Sequence, residues 1–266
     1  MTVNSLQNLR NLNDALGKQQ SSFNKLSSGK RITKAADDAA GLAVATQLQA
    51  EAATLSVGSR NATYSQSALD IAGGALTQIS DISQRLGELA TQAGNGALSD
   101  AQRSSLNAEY QQLTQEVSRI AGSTQFNGKN LLQGDTLDAQ VGNSGDANSV
   151  ISVSGIDAQA LSSGVSAQDI STQSGAQAAI TAVNSFVSSL ASAQGNIGSS
   201  YSRLDSAIAN NEVSAENRIA AASRIEDVDY AAEFAKKVGN DIRSQVGVAV
   251  NAQANLSAAV VQNLLK

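Results

Sequence analysis

Few residues in this 266-residue sequence could do covalent or acid–base chemistry, and the missing types exclude a great deal. There is no His and no Cys. Serine–histidine–aspartate triads, cysteine nucleophiles, histidine or thiolate zinc sites and HExxH metalloproteases are excluded, as is a disulfide framework. Carboxylates, Lys, Tyr and Ser remain. Two carboxylate pairs stand out, Asp37-Asp38 and Glu226-Asp227. Their members are adjacent, and adjacent residues on a helix point about 100° apart rather than at one substrate. No residue set points to a catalytic centre, a cofactor or a metal, so the expectation is a non-enzyme.

The net charge of −5 argues against a dedicated nucleic-acid binder. The charge is uneven. Residues 1–40 carry six Lys/Arg against three Asp/Glu, and residues 233–266 carry four against two. The middle carries eight against eighteen. The ends are mildly basic and the middle is acidic, which keeps a crowded assembly soluble. No run of 18 apolar residues exists, so no membrane span is expected. The opening MTVNSLQNLRNLNDALGKQQ has no basic region followed by an apolar core, so a Sec-type signal peptide is not expected either.

If side chains here do no chemistry, their spacing must carry the function. There is no Pro, and aromatic residues make up 3% of the chain. Long uninterrupted helices are permitted, with thin seams of Leu, Val, Ile and Ala rather than a thick core. Val3, Leu6, Leu9, Leu12, Leu16, Phe23 and Leu26 form a narrow apolar stripe, predicting a helix from Val3 to Leu26 that suits a partner helix. Residues 27–41 break the stripe and read as an irregular connector. From Leu42 to about Ala93 a helix returns, with Leu48, Leu55, Ala62, Leu69 and Leu76 at strict sevens. Gly94-Asn95-Gly96 ends it. Ser99 or Asp100 then caps another helix, with Leu106, Tyr110, Leu113, Val117 and Ile120 on one face and Gly122 at its end.

Residues 123–170 are rich in Gly, Asn and Ser. Leu137–Val141 and Val150–Val153 read as two strands of one β-hairpin region near 130–165. A long helix resumes near Ser174 and runs to about Ser223, with Val183, Val187, Leu190, Ile197, Tyr201, Leu204 and Ile208 at coiled-coil spacing. The last segment mirrors the first: Val238, Ile242, Val246, Ala249, Leu256, Val260 and Leu264 form a second narrow stripe. The expected fold is mainly α: a long-helix coiled-coil bundle with one small β-hairpin region, its N- and C-terminal helices paired antiparallel.

Several stretches resemble bacterial flagellins. LSSGKRITKAADDAAGLAVA at 26–45, QRLGELATQAGNG at 84–96 and GSTQFNGKNLL at 122–132 look like flagellin N-terminal motifs. SRIEDVDYAAE at 223–233 and VNAQANLSAAVVQNLL at 250–265 look like the C-terminal signature. The resemblance implies a short form with core and rod only, lacking the large outer domains that longer flagellins insert between about 132 and 172. It implies a terminal coiled-coil domain with connectors, 1–43 plus 223–266, and a helical rod, 44–222. It implies a structural subunit that self-assembles into the flagellar filament for motility, exported through the type III channel to the extracellular flagellum. The implied partners are other copies of the chain, flagellar cap and hook-junction proteins and an export chaperone.

The expected assembly core is Leu6, Leu9, Leu16, Phe23, Ile242, Val246, Leu256, Val260 and Leu264. A connector network of Arg31, Asp37, Asp38, Arg224 and Asp227 is expected where the two antiparallel ends meet. Family members recognised by the Toll-like innate receptor present an Arg, a Leu and a Glu on the rod, which match Arg85, Leu89 and Glu109 here. Gly87 stands where recognised members commonly have a basic residue. Two other readings compete: a hook–filament junction protein of related build, and a cytoplasmic coiled-coil scaffold.

Overall fold

The structure, a computed structural model, describes residues 3–264, with the side chains of 3–6, 8, 254–255 and 257–264 outside the description. Six α-helices and four short strands follow in the order α1 Val3–Ser28, α2 Ala39–Ala93, α3 Asp100–Ser123, β1 Gln125–Phe126, β2 Lys129–Asn130, β3 Leu137–Gln140, β4 Val150–Val153, α4 Ala158–Ser166, α5 Gln173–Glu226 and α6 Tyr230–Leu264.

The helix ends follow from local chemistry. α1 stops where Gly29 takes φ +71°, a left-handed conformation that costs glycine little. α2 begins on Asp38, whose Oδ1 accepts the Gly41 N–H at 2.8 Å and satisfies one orphan donor of the first turn. Its far end closes on buried Arg103, whose guanidinium donates to the carbonyls of Ala93 and Asn95. α3 starts at Ser99 with a reciprocal capping box to Gln102. The expected stop at Gly122 is not used. The helix runs one residue further and is capped by Thr124, whose hydroxyl donates to the Ile120 carbonyl at 2.7 Å.

Between α3 and α5 the sequence expectation was incomplete. There are two antiparallel strand pairs, not one. β3 pairs with β4 in the register Leu137↔Val153 to Gln140↔Val150, on the expected residues. β1 pairs with β2 around Asn127-Gly128, both at positive φ, the hairpin signature of an Asn-Gly pair. α4, N-capped by Asp157, lies in a stretch read as non-helical because its Ser and Gly content resembles a loop.

By contacts the chain forms two compact units, Met1–Ala52 with Glu216–Lys266, and Ala53–Ala215. In the second, Leu76, Ile79, Leu86 and Leu89 of α2 pack with Tyr110 and Val117 of α3 and Val183, Phe186 and Leu190 of α5. A second cluster joins Ala62 and Leu69 of α2 to Ala139, Ile151 and Val153 of the β3–β4 hairpin and Leu204 of α5. Of the heptad Leu48, Leu55, Ala62, Leu69 and Leu76, the last four are buried and Leu48 is half-buried. The hairpin is fixed to the helices by Asn61 and Asn211, which donate to the Gln140 and Val141 carbonyls at 3.0 and 2.8 Å. Gly58 makes room for it, since a Cβ there would overlap the Val141 carbonyl oxygen. In the first unit α1 and α6 pack together in opposite directions, Ser22 beside Glu233 and Leu12 beside Gly247.

Candidate assembly surfaces

The seam between α1 and α6 takes in only Leu12 and Leu26 of the α1 stripe and is otherwise built mostly from small and polar residues. On α6 the enclosed positions recur at fours and threes: Glu233, Lys237, Asn240, Ser244, Gly247 and Asn251. Facing them on α1 are Leu12, Ala15, Gln19, Ser22 and Leu26. Only Leu and Ala are apolar in this list. Ser22 donates its hydroxyl to the nearly buried Glu233 carboxylate at 2.7 Å. That bond holds the Glu233 carboxyl below its ordinary value, with Lys236 adding to the effect and burial opposing it. Asp241 Oδ1 and Asn251 Nδ2 are buried with no hydrogen-bond partner, an unfavourable state for polar atoms.

Leu12 and Leu26 enter this seam, but the other described members of the α1 stripe and the large described members of the α6 stripe lie outside it. Leu9 and Leu16 are exposed, Phe23 is 56% exposed, Ile242 and Val246 are each 55% and Leu256 is 63%. The two ends pair, and the described residues expected in the assembly core, Leu9, Leu16, Phe23, Ile242, Val246 and Leu256, stay exposed beside that pairing. The periodicity showed that stripes exist; it did not show which face of each helix meets the other. The side chains of Leu6, Val260 and Leu264 lie outside the described residues.

The connector holds a clasp different from the expected network. The Glu226 carboxylate, 6% exposed, accepts from Lys30 Nζ at 2.6 Å and from Gln49 Nε2 at 2.7 Å. Its backbone carbonyl accepts the Arg31 N–H at 2.6 Å, and Val228 N–H donates to the Gly29 carbonyl. Ile32 is buried beside these bonds at 1% exposure. Glu51 and Arg218 form an ion pair at 2.9 Å.

The five residues expected to form one network are dispersed. Arg31 donates to the Ile225 carbonyl. Asp37 closes its own turn, accepting from Thr33 and Lys34, and these bonds, Thr33 first, lower its pKa. Asp38 caps α2, Asp227 accepts from Ser223, and Arg224 is exposed. Sequence adjacency pointed to the right neighbourhood. It could not pick out Lys30 and Glu226, because the irregular backbone of the connector decides which neighbour turns inward.

On the other unit, Arg85 lies between two carboxylates, at 2.9 Å from Glu88 and 2.8 Å from Glu109 of α3. Those hydrogen bonds, Glu88's first, raise its pKa. Leu89 does not share this exposed setting: it is wholly buried in the core. Four residues on a helix leave a 40° offset, enough to take Leu89 from the surface to the interior. Gly87 is half-buried, where a Cβ would touch Val183.

Long helices with thin heptad cores, ends that close on each other, and apolar stripes left outside define a coiled-coil structural protein of the self-assembling class. Comparison with known proteins names the class. The model of the bacterial flagellin N-terminal helical region matches residues 1–136, and that of the C-terminal helical region matches residues 180–266. A flagellin of Halalkalibacterium halodurans is 37% identical over 260 residues, covering 97% of this chain and 95% of that protein. A Bacillus subtilis flagellin is 33% identical, covering 99% and 97%. The crystal structure of Bacillus cereus flagellin aligns with a TM-score of 0.52 at 31% identity, over 57% of this chain and 88% of that one. The chain belongs to the bacterial flagellin family and is a structural subunit of the flagellar filament. None of these matches favours the junction protein. No described helix is long and apolar enough to cross a membrane.

Proposed function

We propose that α1 and α6 form the inner, polymer-forming part of the subunit, through Leu9, Leu16, Phe23, Ile242, Val246 and Leu256, and through Leu6, Val260 and Leu264. The observation that carries this is the inversion of the helix pair: polar groups inside the seam, large apolar groups outside. Burying each exposed Leu, Ile or Phe against a neighbouring copy is worth about 1.5–3 kcal/mol. The contacts are heterologous, which extends an open helix rather than closing a ring. Residues 44–222 form the helical rod domain, and the Lys30–Glu226–Gln49 clasp fixes the connectors between α1 and α2 and between α5 and α6.

The subunit leaves the cell through the flagellar export channel with an export chaperone, and assembles beneath the cap onto hook-junction proteins. These steps rest on family membership. Recognition by the host Toll-like receptor is a second reading, supported by the exposed Arg85–Glu109 pair, with Leu89 supporting that pair from the core.

Seeded polymerisation of Ile242→Asp tests the main proposal. The expected outcome is unchanged thermal unfolding of the monomer, because Ile242 is exposed, with loss of elongation from wild-type seeds. Elongation at the wild-type rate would remove this face from the polymer contact.

A further inference from the structure

Two Asn-Gly pairs stand in the sequence, Asn95-Gly96 between α2 and α3 and Asn127-Gly128 between β1 and β2. The fold accounts for the second. Both of its residues take positive φ, +49° and +78°, and close a two-residue hairpin. Packing within the chain does not account for Gly96. Its φ is not left-handed, and a Cβ on it would meet only the Gln173 amide, at an ordinary 3.7 Å. What the missing side chain leaves open is the approach of the Gly96 nitrogen to the Asn95 side chain.

The turn brings those two groups together. Asn95, Gly96 and Ala97 are all exposed. Asn95 Oδ1 accepts the Ala97 N–H at 3.0 Å, an Asx turn that folds the carboxamide back over the Gly96 peptide. The same bond makes Cγ more electrophilic. Beneath the turn lies Arg103, 6% exposed. Its Nη1 and Nη2 donate to the Asn95 backbone carbonyl at 3.3 and 3.1 Å, and Nη1 also donates to the Ala93 carbonyl. The guanidinium pairs with no carboxylate among the described residues. A cation held on a peptide carbonyl makes the attached N–H, here that of Gly96, more acidic. Its planar fork also suits a carboxylate better than a carbonyl.

We infer that Asn95-Gly96 is a self-modification site, where the chain converts to isoaspartate and Arg103 directs the product. The Gly96 nitrogen gives its proton to water and attacks Asn95 Cγ. The N–Cγ bond forms, the Cγ–Nδ2 bond breaks, and ammonia leaves carrying a proton from water. The resulting succinimide has two carbonyls, and Arg103 holds the one that belonged to the main chain. Donors on an oxygen that gains charge favour attack at its carbon. Water adds there, the bond from that carbon to the Gly96 nitrogen breaks, and the chain continues through Cγ. The net change consumes one water and releases one ammonia. It leaves a carboxylate on the carbon whose oxygen Arg103 already grips, so the buried cation gains a counter-charge. The main chain lengthens by the Asn95 Cβ methylene.

Ageing of the full-length protein tests this. The chain is incubated at mildly alkaline pH, folded and, in parallel, unfolded in urea. Residues 95 and 127 are followed by peptide mapping and by isoaspartyl methyltransferase labelling. In the folded chain Asn95 is expected to convert several-fold faster than Asn127, and its isoaspartate share to exceed that of the unfolded chain. Arg103→Gln, with folding checked by circular dichroism, is expected to bring that share down to the unfolded value and to leave Asn127 unchanged. Conversion of Asn95 in the folded chain no faster than that of Asn127 overturns the site. An isoaspartate share equal in folded and unfolded wild type overturns the role of Arg103, and that comparison decides the matter even where Arg103→Gln does not fold.

Discussion

Single residues separate packing from recognition most sharply at Arg85 and Leu89. The two are four apart, and one is exposed and ion-paired while the other is wholly buried. Leu89→Ala removes a core side chain and is expected to cost about 2–5 kcal/mol. Arg85→Ala breaks two exposed ion pairs, which water and salt screen, so its effect on stability is expected to be much smaller. Denaturant unfolding of the two variants checks that contrast. A receptor reporter assay is informative only for Arg85→Ala, where the fold is retained; an unchanged response there removes Arg85 from the recognition surface. Tyr110 marks the core in another way. Its hydroxyl donates to the Val165 carbonyl at 3.2 Å, and burial pushes its pKa up to about 12. A group whose folded pKa is raised stabilises the protein below its unfolded pKa and loses that contribution as pH rises through the folded value. In an alkaline absorbance titration Tyr110 is therefore expected to ionise above the ordinary tyrosine range, with stability falling as it does.

Among the elements, α1 and α6 show why their pairing depends on conditions. A 26-residue helix with one apolar seam is marginal alone in water, and its seam with α6 is mostly polar. Glu233 is the titrating member. Its folded pKa is depressed, so its contribution is complete above the unfolded pKa and is lost as pH falls through the lower, folded value. Protease cleavage within α1 and α6 is expected to accelerate as pH drops below the carboxylate range. In Glu233→Gln that acid-dependent step is expected to flatten; an unchanged profile would show that other carboxylates control it. The β3–β4 hairpin depends instead on shape. Gly58→Ala is expected to dislodge it from α2, lowering the unfolding temperature and exposing the strand amides to hydrogen exchange, because the added methyl group meets a backbone carbonyl that cannot rotate away.

The chain divides into a well-packed unit, 53–215, and a terminal unit whose large described apolar residues are mostly exposed. That division supports coupling between folding and assembly. In the free subunit α1 and α6 are expected to be cleaved by protease faster than residues 53–215, and in the filament to be protected. Equal resistance in the free subunit would contradict the coupling. The clasp bears on the same question. Glu226→Ala removes the nearly buried carboxylate that accepts from the half-exposed Lys30 ammonium and from the Gln49 amide, so its hydrogen bonds and its packing are lost together. The expected result is a lower melting temperature for the terminal unit. Filament curvature, read by electron microscopy, is expected to change if the clasp sets the connector geometry.

The sequence by itself determined the five long helices, most of their ends and the identity of the family, but not α4 or the stop of α3. Those depend on local chemistry: heptad spacing, an Asp or Ser before a helix, glycines after one, and motifs long enough to be idiosyncratic. It also located Leu137–Val141 and Val150–Val153 as strands, because alternation and turn residues are local too. Tertiary structure alone decided which face of each helix was used. Leu9, Leu12, Leu16, Phe23 and Leu26 read as one stripe, yet only Leu12 and Leu26 enter the seam, with Ala15 and Ser22 beside them. Lys30 and Glu226, rather than Arg31 and Asp227, close the clasp, and Leu89 lies beneath Arg85 rather than beside it. Each of these outcomes turns on a rotation about a helix axis or a turn of the connector backbone. Spacing along a sequence fixes such angles relative to one another, but only a packed neighbour fixes which of them points inward.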